Sequence, residues 1–245
     1  MTDAVQRPAP GPARHVSRPA RRIARLVLWA EFLTLYLAAP LFMALAAPPQ
    51  WIWPLLAGAT ALGVALLFRT PGFSWRELAR APDQGDWAWA AAFALGTLAL
   101  AAGLCAWINP DALFGLARER PQLMVMILLF YPFLSALPQE LFFRALFFRR
   151  YGALLGAPTR PAAMLANAAL FALAHLFYWN WVAVGFTFVG GLVFAWAYAH
   201  RRSFLLAWAL HAAAGGMVFL SGLGVYFYHG AIGAPAVAAQ SVHLR

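Results

Sequence analysis

Seven long apolar stretches, separated by short polar breaks, organise this chain. They run at roughly 23–46, 52–68, 87–108, 122–142, 161–178, 181–199 and 204–227. A helix that crosses a hydrocarbon core of about 30 Å needs about 20 predominantly apolar residues. Each stretch therefore predicts a membrane-spanning helix, the second and sixth being short. Past residue 142 the helical pattern carries on to about Arg150, longer than a bilayer requires. The fold class that follows is all-α, a polytopic transmembrane bundle of about seven spans occupying residues 21–228. Residues 1–20 are rich in Pro, Ala and Arg and lack apolar periodicity, so they read as a disordered basic tail. Residues 229–245 read as a short C-terminal tail.

Composition sharpens this picture. The 245 residues are 63% hydrophobic and 11% charged, where a soluble domain is about half apolar and a quarter charged. The net charge of +10 invites a nucleic-acid partner. The arginines, however, sit in the tail and in short loops between spans, which excludes that reading and makes the lipid bilayer the partner. The single cysteine, Cys105, excludes an intramolecular disulfide and a Cys-rich zinc site.

Arginine placement also predicts orientation. One set of segments holds the tail arginines, Arg69, Arg76, Arg80, Arg149, Arg150, Arg160, Arg201 and Arg202. The alternate set holds only Arg118, Arg120 and Arg245. Basic loops stay in the cytoplasm, so the N-terminus is expected inside and the C-terminus outside. The expected location is a bacterial inner (plasma) membrane. Ala44-Leu45-Ala46 resembles a signal-peptidase site, but the preceding apolar run is longer than a signal segment, so the first stretch reads as a retained span. Gly190-Gly191 and the small residues from Ala212 to Gly216 predict close helix approach in the last two spans.

Against this apolar background a few ionisable groups stand out. A charge in hydrocarbon is costly unless it is paired or functional. Glu140, in Pro138-Gln139-Glu140-Leu141-Phe142-Phe143-Arg144, is one. His175 and His211 lie in two later spans, and Glu31 in the first. At about 1.5 Å of rise per residue, Glu140 lies about 15 Å from the Arg150 boundary, His211 about 12 Å past Ser203 and His175 about 21 Å past Pro161. All three fall within the middle of the membrane. Arg144 is four residues after Glu140 and shares its helix face. Gln139 offers amide donors and an acceptor but no titrating proton. Glu31 points either to an arginine neighbour such as Arg25 or into the bundle. His15, His200, His229 and His243 sit in tails or at boundaries. No zincin helix, nucleophile elbow or P-loop is present. One Glu with two His is chemically open to two uses, a divalent metal at Glu140, His175 and His211 or a general base with imidazole helpers. The residues alone leave the two open, and the expectation for the chain is no cofactor.

Order and spacing now carry a resemblance. Gln139-Glu140-x-x-x-Arg144, then Phe171-x-x-x-His175, then His211 eight residues after Ser203, is similar to the CPBP family. These are the CAAX protease and bacteriocin-processing intramembrane proteases, related to the type II CAAX prenyl endopeptidases. The similarity covers about residues 122–220; the first three spans fit only as generic membrane helices. It implies an intramembrane endopeptidase acting on a membrane-embedded peptide or protein substrate, with Gln139, Glu140, Arg144, His175 and His211 as site residues. The family's first motif is Glu-Glu-x-x-x-Arg. Here Glu140 matches the second Glu, and Gln139 replaces the first. The resemblance implies that His175 helps to activate water and that His211 stabilises an oxyanion. The polar residue often found four positions after that His is Gly215 here. The expected mechanism has Glu140 activating water, helped by His175, with Gln139 and His211 polarising the carbonyl. Two other functions remain open: an inactive relative that keeps the cavity as a peptide-binding scaffold, and a proton-relaying transporter.

Overall fold

The computed structural model describes residues 18–227. Most of the expected basic tail, the C-terminal tail and His15, His229 and His243 lie outside the described residues. Seven helices are long and apolar enough to cross a membrane: α1 (Ala24–Leu45), α2 (Pro49–Phe68), α3 (Gln84–Ile108), α4 (Pro121–Leu155), α5 (Pro161–Tyr178), α6 (Trp181–Ala199) and α7 (Phe204–Ser221). The described residues contain no strand. The protein is an all-α integral membrane bundle. Helical structure begins at Arg18, within the stretch expected to be tail.

The helix boundaries follow local chemistry. Pro121 and Pro161 open α4 and α5, where a missing N–H costs nothing and the fixed φ suits the first turn. The Asn180 side chain accepts from the Ala183 N–H at 2.8 Å and starts α6, while Ser203 accepts from Leu206 at 3.1 Å and starts α7. Asp83 and Asp86 form a reciprocal capping box at the head of α3.

α4 is the axis of the fold. Its 35 residues span about 50 Å at ordinary helical rise. The run is interrupted by π-helical stretches at Pro132–Ala136 and Leu141–Tyr151. Pro132 and Pro138 each remove a backbone donor and crowd the preceding turn, which locally rewinds the helix. Side chains from two neighbours hold the widened part. The Tyr36 hydroxyl of α1 donates to the Phe142 carbonyl at 2.7 Å, and the Asn167 amide of α5 donates to the Phe143 carbonyl at 2.6 Å. Around them, Phe32 and Tyr36 pack edge-on or tilted against Phe142, Phe147 and Tyr151 to form the main core.

The other helices assemble around this axis. α2 lies along the second half of α4, α3 along α7, and α6 against both α5 and α7. The α5–α6 contact is close because Gly191 faces the Ala168 backbone, leaving a hypothetical Cβ only 3.0 Å from Ala168 Cα. Small residues thus bring these two helices together, as expected of membrane packing.

One end of the bundle is tied by ion pairs. Arg149 donates to the Gly72 carbonyl at 2.6 Å and meets Glu77 at 3.2 Å, and Arg201 Nε meets Asp86 at 2.7 Å. Glu31 finds its partner here as well. It is Arg150 rather than Arg25: Arg150 Nη2 donates to Glu31 Oε2 at 2.9 Å, and Arg150 Nε and the Tyr151 hydroxyl both donate to Oε1. The pair joins α1 to the end of α4. Hydrogen bonds to a charged group contribute about 1.5–3 kcal/mol. Glu31→Ala is therefore expected to lower stability by about that amount, measured by unfolding in detergent. Adding Arg150→Ala should then cost little more, since the partners share one interaction.

Candidate functional site

Glu140 ends the short α-helical turn Leu137–Glu140, directly before the long π-helical stretch of α4. Its carboxylate and the Arg144 guanidinium are both fully buried, with Glu140 Oε2 3.3 Å from Arg144 Nε. A buried pair is tolerated only where its remaining valences are met. Arg144 Nη1 donates to Asn167 Oδ1 at 2.8 Å, and the guanidinium lies over the ring of Phe171 at 4.8 Å and of Phe194 at 5.6 Å. Nη2 has no hydrogen-bond partner among the described residues, and these aromatic faces give it a cation–π surface instead.

The other carboxylate oxygen reaches across to α7. His211 Nδ1 and Glu140 Oε1 are 2.9 Å apart. A carboxylate oxygen only accepts, so Nδ1 carries the proton and Nε2 is left with its lone pair. The His211 ring stacks on Phe194 at 4.9 Å and 11°, which fixes its plane. Four groups from three helices therefore form one chain: Asn167, Arg144, Glu140 and His211.

His175 stands at the end of the regular part of α5. Its Nδ1 lies 2.8 Å from the Phe171 carbonyl. A carbonyl cannot donate, so this ring also presents Nε2 as its free nitrogen. The Phe171 ring packs edge-on against both histidines, at 4.6 Å from His175 and 5.5 Å from His211. It is the common wall between them.

These side chains border an open cavity of about 3050 Å³, mostly apolar, lined by parts of all seven spans. Gln139, Ser135, Tyr131, His175 and His211 line it; Glu140 and Arg144 do not. Gln139 Nε2 donates to Ser135 Oγ at 3.0 Å, while its Oε1 is without a hydrogen-bond partner. The structure thus brings Gln139, His175 and His211 to the cavity and places Glu140 one layer behind His211. Glu140 therefore meets the cavity through His211 rather than directly. Adjacent helix residues point about 100° apart, so Gln139 takes the cavity side and Glu140 the protein side. Nor do Glu140, His175 and His211 gather into a ligand set. Among the described residues no three His, Cys, Asp or Glu side chains are disposed to hold a metal ion.

Three participants escaped the sequence reading. Asn167 is a polar residue in an apolar span, the same signal that marked the histidines, and it anchors Arg144. Phe194 is one aromatic residue among many, with nothing local to separate it. Tyr131 was likewise indistinguishable from core.

The fold and site define a class: a polytopic membrane protein with a buried Glu–Arg–His network at the wall of an intramembrane cavity. Residues 121–217 match the family model described as type II CAAX prenyl endopeptidase Rce1-like, so this stretch of the chain is similar to that family. That stretch contains Gln139, Glu140, Arg144, Asn167, His175 and His211. No curated protein matches the chain significantly, and no solved structure does.

Proposed function

We propose that this protein is an intramembrane endopeptidase that hydrolyses an amide bond of a membrane-anchored peptide or protein within the cavity. The observation that carries this reading is a shared cavity wall with Gln139, His175 and His211 on it, where His211 is backed by the buried carboxylate of Glu140. Hydrocarbon excludes water; a polar wall inside a cavity supplies a place for it. The family match supports the same chemistry. In this reading the N-terminus is cytoplasmic, as the arginine distribution suggests.

The steps follow from the hydrogen bonds. Water sits between the two Nε2 atoms. Its oxygen bonds to the carbonyl carbon as its proton passes to His211 Nε2. Glu140 stabilises the imidazolium that forms, because its carboxylate already accepts from Nδ1–H; a backbone carbonyl, the partner of His175, does so less strongly. The carbonyl π electrons move to oxygen, where a Gln139 N–H can donate. Collapse breaks the C–N bond, and His211 returns the proton to the leaving nitrogen. A carboxylic acid and an amine leave.

A second reading has its own observation. Gln139 faces the cavity at the position where the family pattern has glutamate. This favours a relative that binds peptide without hydrolysing it. Reconstituted protein with a panel of fluorogenic membrane peptides separates the two. Cleavage by the wild-type chain supports the endopeptidase, and Gln139→Ala is then expected to lower kcat by about 100-fold through loss of a carbonyl donor. A wild-type chain that binds but does not cleave, together with a Gln139→Glu variant that does cleave, establishes the binding reading.

A further inference from the structure

Gly215 lies four residues after His211 on α7, one turn further along the same face. A Cβ built there would fall onto Tyr131 of α4, nearest to its Cε1, Cζ and hydroxyl oxygen. No larger residue fits at 215 without moving that ring. Glycine in a helix interior weakens it relative to Ala, so its presence here needs a reason, and the space it creates is filled by a phenol. The Tyr131 ring meets His211 edge-on at 6.1 Å and Phe219 at 5.9 Å. It lines the same cavity as Gln139, His175 and His211.

Packing explains the ring but not the hydroxyl. A phenylalanine would fill the same space. The half-buried Tyr131 lines the cavity, and a tyrosine there combines an apolar ring with a polar tip that seeks a partner. A phenol on the wall of the cavity, its ring 6.1 Å from that of His211 across the α4–α7 contact, is arranged for a ligand acceptor.

Resting on the endopeptidase reading, we propose that Tyr131 is a further catalytic residue, its phenol O–H donating to the carbonyl oxygen of the scissile amide. Gly215 is the positioning residue that lets the phenol approach α7. The donor matters most when negative charge builds on that oxygen in the tetrahedral intermediate. Its contribution should therefore appear in turnover rather than in substrate binding.

The test is Tyr131→Phe, which removes one oxygen and keeps the ring, in the reconstituted full-length protein. The expected result is a kcat lowered by about 100- to 1000-fold, with KM and the thermal unfolding midpoint unchanged. The double variant Tyr131→Ala with Gly215→Asn, which puts an amide donor into the vacated space, is expected to recover part of the lost kcat. A merely structural tyrosine would give no such rescue. If the wild-type protein cleaves and Tyr131→Phe cleaves equally fast, the role of Tyr131 is overturned and the endopeptidase reading stands. If the wild-type protein cleaves no peptide of the panel, whether or not Gln139→Glu does, the endopeptidase reading fails and the role of Tyr131 with it.

Discussion

His211→Asn is expected to eliminate peptide cleavage, lowering kcat by about 1000- to 10,000-fold, while the protein still folds. The reasoning separates two jobs of one ring. Nδ1 ties α7 to Glu140 at 2.9 Å, and Nε2 meets the cavity. The asparagine amide reaches about as far as Nδ1 and can still donate to the carboxylate, but it has no lone pair with which to take a proton from water. His211→Ala would also remove the tie and leave a buried carboxylate oxygen unpaired, at a cost of about 1–3 kcal/mol, which would confuse a catalytic loss with misfolding. The comparison therefore rests on turnover of a fluorogenic peptide by the asparagine variant, alongside its unfolding midpoint. Turnover near the wild-type value would remove His211 from the mechanism and leave His175 as the remaining imidazole at the cavity wall among the described residues.

Arg144→Met is expected to give the largest loss of stability. It keeps a long apolar stem but leaves Glu140 facing no cation in a site without solvent. Removing one member of a buried ion pair typically costs about 3–5 kcal/mol. Here it also strips Asn167 of its acceptor role toward Nη1 and empties the space over Phe171. Arg144→Lys should rescue poorly, because an ammonium can neither reach Asn167 and Glu140 with a planar fork nor stack on Phe171 in the same way. Pairing Arg144→Met with Glu140→Gln should cost less than the sum of the two single variants, since the double change removes the stranded charge. Equilibrium unfolding in mixed micelles measures all four proteins. Additive losses would mean that the two residues do not support one another.

These expectations and the placement of Tyr131 share a physical basis. The long π-helical run of α4 begins directly after Glu140, at the point where cavity-facing and buried side chains diverge. π turns inside helices often mark functional sites. Here the widened backbone is held by Tyr36 and Asn167 from opposite sides. The wall thus presents Gln139 to the cavity and closes over Glu140.

How far a residue could be read from sequence depended on how local its signal was. A span is a local property: about 20 apolar residues must cross a hydrocarbon slab whatever they touch. All seven spans could be located, and the long extension of α4 could be anticipated, because that rule needs no neighbours. The cost of an ionisable group in an apolar span is also local, so Glu140, His175 and His211 stood out and Glu31 posed a question. Its answer, Arg150 at a separation of 119 residues, required knowing that α1 packs beside the end of α4. The same holds for the direction each group faces. Neighbours in sequence, Gln139 and Glu140 differ only by a rotation about the helix axis, and nothing in the chain says which side is open. The packing of α5, α6 and α7 decides it, placing Asn167, Phe194 and His211 around the carboxylate and leaving the amide at the cavity. By itself the sequence determined a seven-span membrane protein with a few costly polar groups at similar depth. Only the tertiary structure made Glu140 the support of His211, and gave Gly215 a meaning through the ring of Tyr131, because those relations exist only between helices.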